Sequence, residues 1–200
     1  MSVSQHSTKA VDYLHVYLAL VNRGIPSGWD LDNDGTTDSN VFRLSSKSHW
    51  NISVEIDRKT VHILASHPTP PVFDAEEDRN GKRNYSEIRL RTDFITPGNG
   101  DYIDDDNVIF GRLKAKERFV IVDDQNADRF DGDSTDNAIL QLLDNPSNTS
   151  VIPESEGGVD ASDRTNDFNN THFGNHAFDT GNFNDAEPSN LRVSSCFTFG

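Results

Sequence analysis

Two apolar runs in this chain stop abruptly in polar side chains. Val61 to Ala65 leads into Ser66 and His67, and Phe119 to Val122 leads into Asp123, Asp124, Gln125 and Asn126. A histidine, a carboxylate and an amide are useful together. Asp124 can bind a hard metal or orient a water nucleophile, Asn126 can hold a phosphate oxygen, and His67 can donate to charge developing on a phosphoryl oxygen. In open α/β sheets, ligands bind beyond the carboxyl ends of strands. The plainer alternative stays open at this level: Asp124 caps the following turn, Asn126 stabilises a loop, and His67 is structural.

A second cluster lies in "WDLDNDGTTDSN". Asp30, Asp32, Asp34, Gly35 and Asp38 follow the D-x-D-x-D-G-x-x-D order of calcium loops. Alternate aspartates set carboxylates around one point, and the glycine permits a sharp turn. The twelfth position is Val41 and not glutamate, so the bidentate ligand is lacking. A weak structural Ca2+ site at 30–38 is weighed against a solvated turn. The acidic stretch "DYIDDDN" at 101–107 reads as a solvated loop. His172 and His176 have ligand spacing only on a helix, and "NNTHFGNHAFD" is a poor helix. Trp29 and Trp50 read as packing residues.

The elements that must position these residues follow from periodicity. Strands are expected near 14–21, 41–46, 51–57, 60–66, 118–123 and 191–197. Residues 51–66 read as a hairpin whose first arm alternates and whose second is nearly all apolar, as in a strand covered on both faces. "NYSEIRLRTDFI" predicts a helix near 83–96, stopped by Pro97 and Gly98. "STDNAILQLLDNP" predicts one near 135–144, capped by Ser134 or Thr135, with Ala138, Ile139, Leu142 and Leu143 on its buried face. Residues 146–190 hold few aliphatics and read as extended loop. Strands alternating with helices give an α/β class with a mixed sheet, in a single domain over 1–200.

Composition limits the partners. The chain has 200 residues, a formal net charge of −15 and a hydrophobic fraction of 34%. That charge repels long nucleic acid but does not exclude a small phosphate substrate. The single cysteine, Cys196, forbids an intrachain disulfide. No run reaches the length of a membrane span, and the N-terminus lacks the pattern of a signal peptide. A monomer is expected.

The segments "SHPTPPVFDAEEDRNGKRNYSEIR", "FVIVDDQNADRFDGDS" and "FDTGNFNDAEPSNLRVSSCFTFG", with "VNRGIPSGWDLDNDG" and "FRLSSKSHW", together resemble a bacterial subgroup of the endonuclease/exonuclease/phosphatase superfamily. The resemblance implies a four-layer α/β sandwich of mixed sheets flanked by helices. It also implies a phosphoesterase site using Mg2+ or Mn2+, in proteins that are often secreted. His67 stands at the family's first catalytic histidine, and Asp124 and Asn126 at the Asp and Asn of its G-D-x-N motif, with Asp124 near the metal. Arg83, Asn84 and Glu87 stand in a segment for which a supporting or substrate-binding role is implied, beside an equally open capping role. The chain departs from the pattern in several places. Asp123 replaces the glycine, Gln125 a leucine and Ser194 an aspartate. The family's metal-binding glutamate and its final Ser-Asp-His find no match. The expectation is therefore a phosphoesterase-type domain, incomplete at both ends and of weak activity; the alternative is a non-catalytic remnant or binding module with a calcium loop.

Overall fold

A computed structural model describes residues 45, 47, 49–74, 76, 78–100, 103–105, 108–109, 113–130, 134–151, 154–165, 174–184, 191–194 and 197–199. Strand β1 (His49–Ile56) pairs antiparallel with β2 (Lys59–Ser66), in the register Trp50↔Ala65, Ile52↔Ile63 and Val54↔Val61. The two residues between them, Asp57 and Arg58, have φ of 49° and 63°. Positive φ at both positions marks the tight turn whose twist suits a hairpin.

A proline-rich loop leads from β2 to helix α1 (Arg79–Ile95), and the chain returns in β5 (Arg118–Val122) after a short ribbon of β3 (Asp104–Asp105) and β4 (Val108–Ile109). Strand β5 lies parallel to β2, from Val61↔Arg118 to Ala65↔Val122. Parallel neighbours need a crossover, and α1 supplies it. Strand β9 (Phe197–Phe199) pairs antiparallel with β5, and β6 (Thr149–Val151) with β9. The sheet order is β1-β2-β5-β9-β6. Strands β7 (Asp179–Asn184) and β8 (Leu191–Ser194) form a separate ribbon.

One face of this sheet meets the core. Leu64, Phe119 and Ile121 pack with Ile88, Phe94 and Ile95 of α1 and with Ala138, Ile139, Leu142 and Leu143. Strand β1 turns the other way. Its residues on the α1 side are His49, Asn51, Ser53 and Glu55, while Trp50, Ile52, Val54 and Ile56 line the opposite face with Val61, Ile63, Ala65, Val120 and Val122. The alternation of β1 therefore serves the face away from α1.

Helix α1 begins earlier than the expected 83, because Asp74 accepts from the Asn80 N–H and Lys82 N donates to Asp78 O at 3.1 Å. Gly81 lies at a close approach to two side chains. A Cβ there would lie 2.0 Å from Asp78 Oδ1 and 2.4 Å from Thr135 Oγ1. Thr135 donates to Asp78 Oδ2 at 2.6 Å, so it ties two segments together and does not cap a helix; Ser134 makes no cap bond either. The helix expected at 135–144 is accordingly a 3-10 turn at Thr135–Asn137 and a single turn of helix, α2 (Leu140–Leu143). The buried face holds as periodicity requires.

Residues 146–190 are more regular than their polarity implies. They include β6, β7 and helix α3 (Glu156–Thr165), where Ser155 Oγ accepts from Gly158 N at 3.2 Å and supplies the N-terminal cap. The expected strand at 191–197 is two strands, β8 and β9. Residues 104–105 of the acidic stretch pair in the β3–β4 ribbon. The expected strand at 14–21, residues 41–44 and 46 of the next and the whole 30–38 loop, with Asp30, Asp32, Asp34 and Asp38, lie outside the described residues.

Candidate active site

Because β2 and β5 run parallel and side by side, their carboxyl ends open on the same edge of the sheet. His67 is the first residue beyond β2, and Asp123 the first beyond β5. Both side chains face solvent, 52% and 47% exposed, with His67 Nδ1 3.4 Å from Asp123 Oδ1. Two residues 56 positions apart thus form a histidine–carboxylate pair at the strand ends.

The aspartates that follow build the loop. Asp124 Oδ1 accepts from Asn126 N at 2.7 Å, and Asp128 Oδ1 from Phe130 N at 2.7 Å. Each is a side chain standing in for a turn carbonyl two residues on. The amides then stitch this loop to the one after β2. Asn126 Nδ2 donates to Pro68 O at 2.9 Å, and Gln125 Nε2 to Ser66 O at 3.1 Å. Asn126 is buried, and its side chain joins the two loops next to His67. Asp124 and Asn126 thus shape the turn, as the plainer reading of "DDQNAD" has it, and the turn lies beside Asp123 and His67.

Helix α1 holds both loops from below. Asn84 Nδ2 donates to Thr69 O at 2.9 Å and to Gln125 O at 3.0 Å, with Asn126 O a further 3.3 Å contact. Glu87 Oε2 accepts from Thr69 N at 2.5 Å, and Oε1 from Ser45 Oγ at 2.7 Å. Arg91 Nη2 donates to Ala65 O at 3.0 Å. Asn84, Glu87 and Arg91 are buried. The helix spacing of three and four residues aligns them on one face. Asn84 and Glu87, implied as supporting or substrate-binding residues, are therefore supports beneath the loops. Arg83 is half-buried on the same helix, and its charge favours the ionised form of Glu87.

Burial governs the charges in this layer. It raises the Glu87 carboxyl above its usual range, against the Thr69 and Ser45 hydrogen bonds and Arg83, which pull it down. His49 is pushed down to about 3, first by burial and then by the neighbouring Arg91 charge. Arg91 is itself lowered to about 10 by burial. His49 is therefore neutral at pH 7. Its Nε2 lies 3.0 Å from Ser45 Oγ, which also reaches Glu87 Oε1 at 2.7 Å and Lys47 O at 3.0 Å.

Among the described residues no three His, Cys, Asp or Glu side chains are grouped to hold a metal ion. One oxygen of Asp124 is already engaged by a main-chain N–H. Among the described residues no helix is long and apolar enough to cross a membrane.

Comparison with protein-family models, with curated proteins and with solved structures finds no match for this chain. The site thus stands on its own geometry. Sequence reasoning found both strand ends and missed the partner of His67. Asp123 read only as a departure from a motif, although its place directly after an apolar strand was the available signal. It also missed the half-buried Ser45 and the buried His49 and Gln125, whose polar types in a loop-rich chain do not separate support from surface.

Proposed function

We propose that the chain is a weak phosphoesterase acting on a small phosphodiester or phosphomonoester. The observation that supports this reading is the solvent-facing His67–Asp123 pair beyond two parallel strands, with Asp124 next in the chain. In the proposed reaction water attacks phosphorus in line, the bond from phosphorus to the leaving oxygen breaks, and the proton shed by the water passes to solvent. His67 holds a proton at a phosphoryl or leaving oxygen as charge develops there. Asp124, through its carboxylate, orients the attacking water. The net charge of −15 favours a compact phosphoester over long nucleic acid. Mg2+ or Mn2+ at this edge and Ca2+ at 30–38 belong to the proposal as ions to be tested.

The proposed fold is the four-layer sandwich. Its support is the apolar side of β1, β2 and β5, where Ile52, Val54, Ile63 and Val120 are half-buried with no α1 contact on that side. A second sheet would cover such a face. A second functional reading, a non-catalytic binding module, is favoured by one observation: the Asn126 amide is committed to Pro68 O.

The test is hydrolysis of bis- and mono-p-nitrophenyl phosphate with magnesium, manganese or calcium and with chelator. The chain is compared with His67→Ala and Asp124→Ala. Turnover that falls about a hundredfold or more in both variants supports the proposal. Equal background in all three proteins overturns it and leaves the binding module.

A further inference from the structure

We propose that Asp123 is a positioning residue that holds the His67 ring by its Nδ1–H and turns Nε2 outward, bare in the neutral ring and carrying the proton that meets the phosphoryl or leaving oxygen when the ring is doubly protonated. The inference deepens the phosphoesterase reading and rests on it for its catalytic part.

Three observations carry it. The first is the pairing itself: Asp123 Oδ1 lies 3.4 Å from His67 Nδ1, both side chains being half in water. An ionised carboxylate only accepts, so a bond here requires the proton on Nδ1. The partner of one ring nitrogen sets which nitrogen carries the proton, and hence what the other can do. The second is that the carboxylate is aimed. Asp123 Oδ1 also accepts from Asp124 N at 2.8 Å, and this main-chain bond holds the side chain where His67 can meet it.

The third is backbone strain. Asp123 has φ of 90°, the largest positive value of any described non-glycine residue. Left-handed residues cluster near 57°, so 90° is far from where aspartate is tolerated and well within the range of glycine. If the position served only to turn the chain, glycine would do so without strain. Asp123 stands where the resembled motif has glycine, so the strained side chain is the feature to explain. Strained residues that persist mark sites where the side chain has a task. Removing the carboxylate should thus make the loop more comfortable and the site worse. A purely structural carboxylate would give the opposite sign of stability change.

The experiment compares the full chain with Asp123→Gly and Asp123→Asn. Long-range 1H–15N spectra, taken where the ring is neutral, identify the His67 tautomer, with His67→Ala assigning the signals. In the wild type the neutral ring is expected to carry its proton on Nδ1. Asp123→Gly is expected to return it to the Nε2–H form usual in water, to leave the melting temperature equal or higher, and to lower kcat for bis-p-nitrophenyl phosphate about ten- to a hundredfold with KM changed less than about threefold. Asp123→Asn keeps an acceptor oxygen and is expected to preserve much of both the tautomer and the rate. The same tautomer in wild type and Asp123→Gly overturns the proposal, as does a reverted tautomer with unchanged kcat. A wild type with no turnover removes the phosphoesterase reading instead, and the assignment of Asp123 to the His67 ring then stands or falls on the nitrogen spectra.

Discussion

Two histidine–carboxylate neighbourhoods sit within one small region of this sheet, and they meet water differently. His67 and Asp123 are about half exposed at the carboxyl ends of β2 and β5. His49, Ser45 and Glu87 lie on the α1 side, where His49 is 2% exposed and Glu87 fully buried. The residue types are nearly the same. What separates them is what each carboxylate does. Glu87 accepts from Thr69 N and Ser45 Oγ, so it closes a loop against a helix and has nothing left for a substrate. Among the described residues, the Asp123 carboxylate meets its neighbour's amide and a solvent-facing ring. Buried polar groups must be satisfied and become structure; exposed ones with aimed geometry remain available for chemistry.

The comparison is broken most directly with pH. For His49 the folded value of about 3 lies below the ordinary value of 6.5. The unfolded chain binds the proton more readily, so stability present above pH 6.5 is lost as pH falls toward 3. Glu87 has the opposite sign. Its folded value is raised above 4.5, so its contribution is complete below 4.5 and is lost as pH rises through the folded value. Urea unfolding from pH 3 to 8 should show a steep acid limb, on the order of 4 kcal/mol at pH 3 from His49 alone. His49→Gln should flatten that limb, and Glu87→Gln the opposing one. An acid limb unchanged in His49→Gln would mean that the buried layer is not as closed as its geometry.

Next in size is the clasp. Asn84→Ala removes the donor to Thr69 O and Gln125 O and leaves these carbonyls without it. The expected loss is about 2–4 kcal/mol, since an orphaned buried group adds its desolvation penalty to the lost bond. His67→Ala, at the exposed edge, should stay within about 0.5 kcal/mol of wild type. Equal effects in urea unfolding would erase the distinction between the two layers.

How much of this could be read from residues alone follows from which signals are local. The strands around Leu64 and Ile121 were legible because apolar runs bounded by polar clusters have few alternatives, and the face of Ala138, Ile139, Leu142 and Leu143 because helical spacing is rigid. The edge that carries His67 was legible because both strands end in polar clusters. The cap at Thr135 was misread, since its hydroxyl serves Asp78, 57 residues away. Helix α3 was missed because a polar surface helix has no apolar stripe to reveal it. The roles of Asn84 and Glu87 were left undivided because support and substrate contact use the same atoms. Only burial separates them, and burial is a property of the whole fold.

The smallest expected effect sharpens the role of strain. Arg58 and Asp123 both hold positive φ, at 63° and 90°. Arg58 sits in the exposed hairpin turn at the end of the sheet opposite His67, where β1 hands over to β2. Glycine is the residue such a turn favours at its second position. Arg58→Gly should therefore stabilise the chain by about 0.5–1 kcal/mol, the cost of an L side chain in this region offset in part by the greater freedom of glycine in the unfolded state. Its rate on bis-p-nitrophenyl phosphate should not move, because the turn touches nothing at the other end of the strands. Asp123→Gly relieves the same kind of strain and should likewise not destabilise, yet it should lose rate. The two variants differ in the end of the sheet they occupy, not in the backbone relief they bring. If both lower the rate equally, loop stiffness and not the Asp123 carboxylate governs the edge. If only Asp123→Gly does, the strained residue is tied to His67, and the pair in water is the one that works.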